Sequence, residues 1–132
     1  MTSVFAKLNL KDHREILIVD PPSSFERELE ALAGIAVVRD PERIAKVDFA
    51  LLFATTQAEV DRLSAMVDGK LQGDAILWFA YPKGTSRKYR CEFNRDSGWS
   101  VLRDHGFDTV RQVAIDDDWS ALRFRRVAYI KR

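Results

Sequence analysis

"VDFALLFATTQAEVDRLSAMVDGKLQGDAILWFA" spans Val47–Ala80, and its reading decides the fold. Val47–Ala54 is apolar apart from Asp48, as in a strand covered on both faces. Thr56 and Glu59 follow at capping-box spacing, the signature of a helix start. Val60, Leu63, Met66 and Val67 then recur on one helical side, and Gly69 closes the helix. Asp74–Ala80, "DAILWFA", is a second apolar strand. Strand, helix and strand in this order predict a crossover between parallel neighbours.

The same grammar extends toward the N-terminus. Glu15–Asp20 reads as a strand, ended by Pro21 and Pro22, which cannot extend a ladder. Ser23 and Glu26 repeat the capping-box spacing, with Phe25, Leu29 and Leu32 on one face and Gly34 as the stop. Ile35–Asp40 reads as a further strand. Asp40 and Pro41 predict an N-cap and first-turn proline of a short helix at "PERIAK".

Toward the C-terminus a helix is expected around Gly98–His105, then strands over Asp108–Ile115 and Ser120–Ile130, joined by a "DDDW" turn. A tight turn between strands implies antiparallel pairing. In the last strand Leu122 and Phe124 share a face, whereas Val127 and Tyr129 fall on the other. Either a bulge near Arg125 and Arg126 intervenes, or the strand leaves the core. The expected architecture is a three-layer, Rossmann-like α/β domain over residues 1–132. Its sheet is mostly parallel, with about five to six strands, helices on both faces and a C-terminal antiparallel hairpin.

Composition narrows the function. Hydrophobic residues make up 46% and charged residues 31%, which fits a soluble globular chain. Cys91 is the sole cysteine, so an internal disulfide and a cysteine zinc site are excluded, and a reducing compartment is expected. The first twenty residues carry charges throughout and lack a signal-peptide core, and no apolar run has the ~18 residues of a membrane helix. A cytoplasmic protein with no membrane partner follows. Residues 1–80 hold nine Lys/Arg and thirteen Asp/Glu, a sum of −4, while residues 81–132 hold twelve and seven, a sum of +5. That asymmetry points to an anion-attracting face in the C-terminal part.

Ligands of open α/β sheets bind beyond the carboxyl ends of the strands. Asp20–Ser24, Arg39–Pro41, Ala54–Gln57 and Tyr81–Ser97 should converge there. Tyr81–Ser97 is the longest of these and the richest in chemistry. "PKGTS" puts Lys83, Gly84, Thr85 and Ser86 side by side, where backbone N–H groups, hydroxyls and an ammonium can enclose an anion. Arg87, Lys88, Arg90 and Arg95 add charge. Asn94, Asp96 and Ser97 precede a helix whose N-terminus is a second anion site, or else they merely cap it. Tyr81, Tyr89, Phe93 and Trp99 argue against disorder and, with the cations, would suit stacked bases.

Other constellations are read as structural. Cys91 among arginines would have a lowered thiol pKa if they were close, and pairing with His13 or His105 is conceivable, but a buried cysteine is the simpler expectation. Asp116–Asp118 reads as a solvated turn and Trp119 as a core anchor. A dinucleotide or S-adenosylmethionine site needs glycines after the first strand; here the chain reads "VDPPSSF". Asp40 stands where ribose-binding acids lie, but without that glycine loop it carries little weight.

"WFAYPKGTSRKYRCEFNRDSGW" and "GFDTVRQVAIDDDWSALRFRR" resemble a family of small bacterial α/β proteins of no established activity. The resemblance rests on Pro82–Lys83 and a DWSxxR signature, here Asp118, Trp119, Ser120 and Arg123. It implies no catalytic residues. The order of elements also resembles a trimmed Rossmann-like methyltransferase fold, closing antiparallel strands included.

The function expected is a binding module without catalysis, metal or cofactor, taking an anionic or phosphate-bearing small molecule. Its site would comprise Tyr81, Lys83, Gly84, Thr85, Ser86, Lys88, Asn94, Arg95, Asp96, Ser97 and Arg123, in a monomer or homodimer. The alternatives are a small transferase related to S-adenosylmethionine-dependent methyltransferases, with Tyr81, Lys83 and Asp96 near substrate, or an RNA- or protein-interaction module.

Overall fold

The computed structural model describes residues 4–130. Six strands form one sheet in the order β2-β1-β3-β4-β6-β5. They are β1 (Glu15–Val19), β2 (Ala36–Val38), β3 (Val47–Phe53), β4 (Leu71–Pro82), β5 (Phe107–Ala114) and β6 (Trp119–Arg126). β2, β1, β3 and β4 are parallel neighbours, and β6 runs antiparallel to both β4 and β5. The three-layer α/β sheet with its terminal hairpin is thus as the sequence predicts.

Helices lie on both faces. α1 (Val4–Lys7) and α2 (Glu26–Glu30) cover one, where Phe5, Leu8, Phe25 and Leu29 pack on Ile16, Ile18, Phe49, Leu51 and Trp78. The Trp78 indole N–H donates to the Leu8 carbonyl at 2.8 Å, which ties the α1 segment to the centre of the sheet. α3 (Gln57–Asp68) and α4 (Ser100–Asp104) cover the other, where Val60, Leu63, Val67 and Leu102 meet Leu17, Ala50, Leu52, Phe79 and Phe124. Strands buried on both faces need apolar residues at successive positions, and the runs in β1, β3 and β4 supply them.

Three local expectations change. Ser23 and Glu26 form no capping box: Ser23–Phe25 is a 3-10 turn without a side-chain cap, and Glu26 instead grips Arg39 at 2.7 and 2.8 Å. The predicted helix at "PERIAK" is a single 3-10 turn, Pro41–Arg43, capped by the Asp40 carboxylate on Glu42 N–H. β6 does not continue to Ile130. It stops at Arg126 and turns through Val127–Tyr129, leaving Val127 and Tyr129 exposed, so the phase change marks the strand leaving the core.

The Thr56–Glu59 capping box is present in full. Glu59 Oε1 accepts from the N–H and hydroxyl groups of both Thr55 and Thr56. Partial burial pushes the Glu59 carboxyl up, but these donors outweigh it and hold its pKa below the usual glutamate value. A depressed carboxyl stabilises the fold above its unfolded pKa, about 4.3, and that contribution is lost as pH falls through the folded value. Urea unfolding should therefore show wild-type stability falling below about pH 4.3 more steeply than that of Glu59→Gln. Thr56→Ala should cost about 1 kcal/mol at neutral pH.

Candidate functional site

Three of the four expected segments meet at the carboxyl rim of the sheet. Asp20, Pro22, Ala54, Thr55, Tyr89 and Trp119 line a cavity of about 220 Å³, together with Phe53 and Glu59. Asp20 adopts a left-handed conformation, φ 54°. The Tyr89 ring packs on Trp119 with centroids 4.9 Å apart, and Trp119 packs edge-on to Phe53 at 5.3 Å. The fourth segment stays apart: Arg39, Asp40 and Arg43 line a separate recess beside β2.

Residues 83–98 cross the rim as an anchored strap. Its first part is fastened to the hairpin turn. Lys83 N–H donates to the Asp118 carbonyl, the Ser86 hydroxyl donates to Asp118 Oδ1 at 2.9 Å, and Ser86 Oγ accepts from Lys88 N–H and Tyr89 N–H. Its second part is fastened to α3 and β3. Glu92 N–H donates to the Thr55 carbonyl, and the Glu92 carboxylate accepts from Gln57 N–H at 2.9 Å, at the positive end of α3. The Gln57 side chain donates to the Gly98 carbonyl at 2.8 Å. Trp99 is buried against Phe79, Tyr81, Phe93 and Phe124, and its N–H donates to the carbonyls of Asn94 and Arg95.

This strap distributes the candidate residues. Tyr81 is buried; its hydroxyl accepts from Gln112 at 2.9 Å, and burial pushes its pKa up despite the nearby Arg95 charge. Gly84 and Thr85 are exposed at the apex of the turn that Lys83 and Ser86 close. Lys88 lies 4.0 Å from Asp118. Asn94 Oδ1 accepts from Asp96 N–H and the Ser97 hydroxyl, so these three form a self-contained turn. None of them caps α4, which starts at Ser100 without a side-chain cap and is five residues long. Arg95 lines a small groove with Thr109, Arg111, Gln112 and Leu122. Arg123 lies elsewhere. Tyr81 pairs with Ser120 and Trp78 with Arg123, so Arg123 projects from the opposite face of the sheet to Tyr81. Lys83, Arg95 and Arg123 therefore do not share one crevice.

Gln57, Glu92 and Gln112 were not singled out from the sequence, yet they secure the strap and Tyr81. Only Gln57, following a cap at Thr56, carried a local cue. Cys91 is half-buried, and burial pushes its thiol pKa up, which leaves it without the character of a nucleophile. His105 is 3.3 Å from Asp68 and His13 packs on Phe49, so neither pairs with Cys91. Asp116 accepts from Asp118 and Trp119 N–H groups, as a turn residue does. A recess of about 660 Å³ lies at the opposite rim and mixes Asp12, Glu15, Asp48 and Asp74 with His13, Arg14 and Lys46. Among the described residues there is no group of acidic, His and Cys side chains arranged to hold a metal, and no helix is long and apolar enough to cross a membrane.

No family model and no curated protein matches the chain, so the resemblance to a small bacterial family gains no support. Solved structures do match in fold. A SAM-dependent methyltransferase from Aquifex aeolicus aligns with TM-score 0.63 and 15% identity, over 94% of this chain and 88% of that one. The fibrillarin pre-rRNA processing protein of Methanococcus jannaschii aligns with TM-score 0.56 and 16% identity, over 88% and 67%. TrmN from Thermus thermophilus aligns with TM-score 0.59 and 9% identity, over 94% of this chain but 47% of that one. At these identities the likeness carries the fold alone, a Rossmann-like α/β sheet shared with these methyltransferase structures.

The strap closes through Gly98. Its φ is +99°, and a Cβ there would lie 2.7 Å from both Gln57 Oε1 and Phe93 Cβ. Gly98→Ala should therefore cost about 1–3 kcal/mol in strain and loosen the strap before the sheet. Chemical denaturation would read the first effect. Limited proteolysis within residues 83–98 would read the second, and equal protection of variant and wild type would refute it.

Proposed function

We propose that this chain is a non-catalytic binding module on a methyltransferase-like fold, and that the exposed outer side of the 83–97 strap receives a phosphate-bearing or otherwise anionic partner. The observation behind this reading is the charge on an anchored segment. Of Lys83, Arg87, Lys88, Arg90 and Arg95, only Lys88 has a carboxylate within 4.0 Å among the described residues. The strap supplies these cations on a backbone already fixed by its own hydrogen bonds, which lowers the entropy cost of binding. Thr85 and the N–H groups near Gly84 add neutral donors.

Likeness to several methyltransferases favours the transferase alternative as far as fold goes. The residues at the rim do not suit S-adenosylmethionine. Pro21 and Pro22 offer no N–H where a cofactor would need close backbone approach. The cavity of about 220 Å³ is below the ~300 Å³ at which small-molecule sites begin. Asp40 caps its own turn, and Arg39 beside it is held by Glu26.

Two titrations separate the readings. Thermal shift with nucleotides, sugar phosphates and polyphosphate should stabilise wild type with at least one anion, and a Lys83→Ala, Arg95→Ala double variant should lose that response. Identical responses of the two proteins to every anion would remove the binding assignment. Calorimetry with S-adenosylmethionine at millimolar concentration should show no saturable binding; binding or methyl transfer would establish the transferase alternative instead.

A further inference from the structure

β6 ends with arginines at 123, 125 and 126, and their surroundings differ. Arg125 makes a bidentate contact with Asp74, at 2.7 and 2.5 Å. Arg126 is bonded to Asp68 and to the carbonyls of Asp68 and Leu71, and its guanidinium lies 4.5 Å above the Phe107 ring. Arg123 has no carboxylate partner among the described residues, and its Nε–H is buried with no acceptor.

The neighbours of Arg123 make this more costly. Its cross-strand partner on β5 is Arg111, also without a carboxylate among the described residues. Directly opposed residues in a sheet stand with Cβ atoms about 4.5–5.5 Å apart, and like charges there repel. Arg125, two residues along, projects from the same face. On its other side Arg123 is paired with fully buried Trp78. Among the other groups near the hairpin, Asp74 is engaged by Arg125, Asp108 by Thr109 N–H and by Arg103 at 3.8 Å, and Lys7 adds a cation where it donates to the Ala114 carbonyl. Partial burial, then the Arg125 charge, push the Arg123 pKa down against an opposing effect of Asp74, and the Arg111 charge adds a smaller push in the same direction.

Protection of a sheet edge accounts for Arg111, since β5 is the last strand. It does not account for Arg123, which stands on the inner strand. An oxyanion between the two guanidinium groups would accept from their terminal N–H groups and turn the repulsion into attraction. We propose that Arg111 and Arg123 form a binding site for the terminal phosphate of a small phosphomonoester or pyrophosphate, on the face of the β5–β6 hairpin opposite Tyr81.

The test follows the arginine Nε–Hε signals of ¹⁵N-labelled protein while inorganic phosphate, then pyrophosphate, is added at constant ionic strength. The Arg123 and Arg111 signals should move saturably, and Arg123→Met and Arg111→Met should each weaken binding about tenfold or more. Arg111 is exposed, so its variant folds whatever becomes of Arg123. Pyrophosphate should raise the Tm of wild type but not of Arg111→Met. Arg95 shares a groove with Arg111, so the strap control is Lys83→Ala, Arg87→Ala, which should keep the Arg123 response, and failure of the strap reading then leaves this site intact. Chloride moving the same signals equally, survival of binding in Arg111→Met, or loss of the response only in the strap variant would each overturn the assignment. So would retention of RNA or an acidic peptide by these arginines with indifference to both phosphates.

Discussion

Antiparallel pairing of β4 with β6 is the constraint on which the rest of the molecule depends. It runs from Leu77–Phe124 to Pro82–Trp119. It sets Pro82 beside the hairpin turn, so the strap that follows begins at Asp118 and is clamped there by Ser86 and Lys83. It puts Tyr81 over Ser120, on the face where Trp99 and Phe93 close the core. The same register sends Arg123 to the other face, beside Trp78. A slip of one residue would exchange the two faces of β6, burying Arg123 and Arg125 and exposing Leu122 and Phe124.

The fold was largely legible because its signals are local. Apolar runs in β1, β3 and β4 report burial on both faces, and Thr56–Glu59 marks a helix start with residues three apart. Reading failed where a distant partner competes. Glu26 has the spacing of a capping residue, but Arg39, thirteen residues on, offers a bidentate ion pair that is stronger than a bond to one backbone N–H. Candidate-site residues fared worse for the same reason. Lys83, Arg95 and Arg123 are near one another only if the strap and hairpin bend toward one crevice, and hydrogen bonds spanning 32, 35 and 41 residues decide that they do not. One part was within reach: once Leu122 and Phe124 are assigned to the core beneath Tyr81, alternation alone sends Arg123 to the far side.

The rim shows how a sheet architecture and the residues at its edge separate. In a Rossmann-like sheet the crevice at the strand ends is open because the first loop turns tightly and short connections leave room above β1 and β3. Here the first loop carries two prolines, and the strap lays Tyr89 across Trp119 while Glu92 takes the position of a ligand at the α3 N-terminus. The chain's own aromatic and carboxylate groups thus narrow the rim to a cavity of about 220 Å³. Sheet order survives this because it depends on strand burial, which the rim does not touch.

That separation also explains the charge asymmetry of the chain. Where the crevice is narrowed from within, cations on the strap lie outside, on a segment whose Glu92 carboxylate is engaged with α3. Arginines of the hairpin arise from a different requirement, since β6 leaves the core at Arg126 and its last residues need partners at the sheet's end. Asp74 and Asp68 supply them for Arg125 and Arg126, and none of the described residues supplies one for Arg123. The positive excess of the C-terminal part therefore has two origins, the strap and the hairpin, and they meet in the groove that Arg95 and Arg111 share.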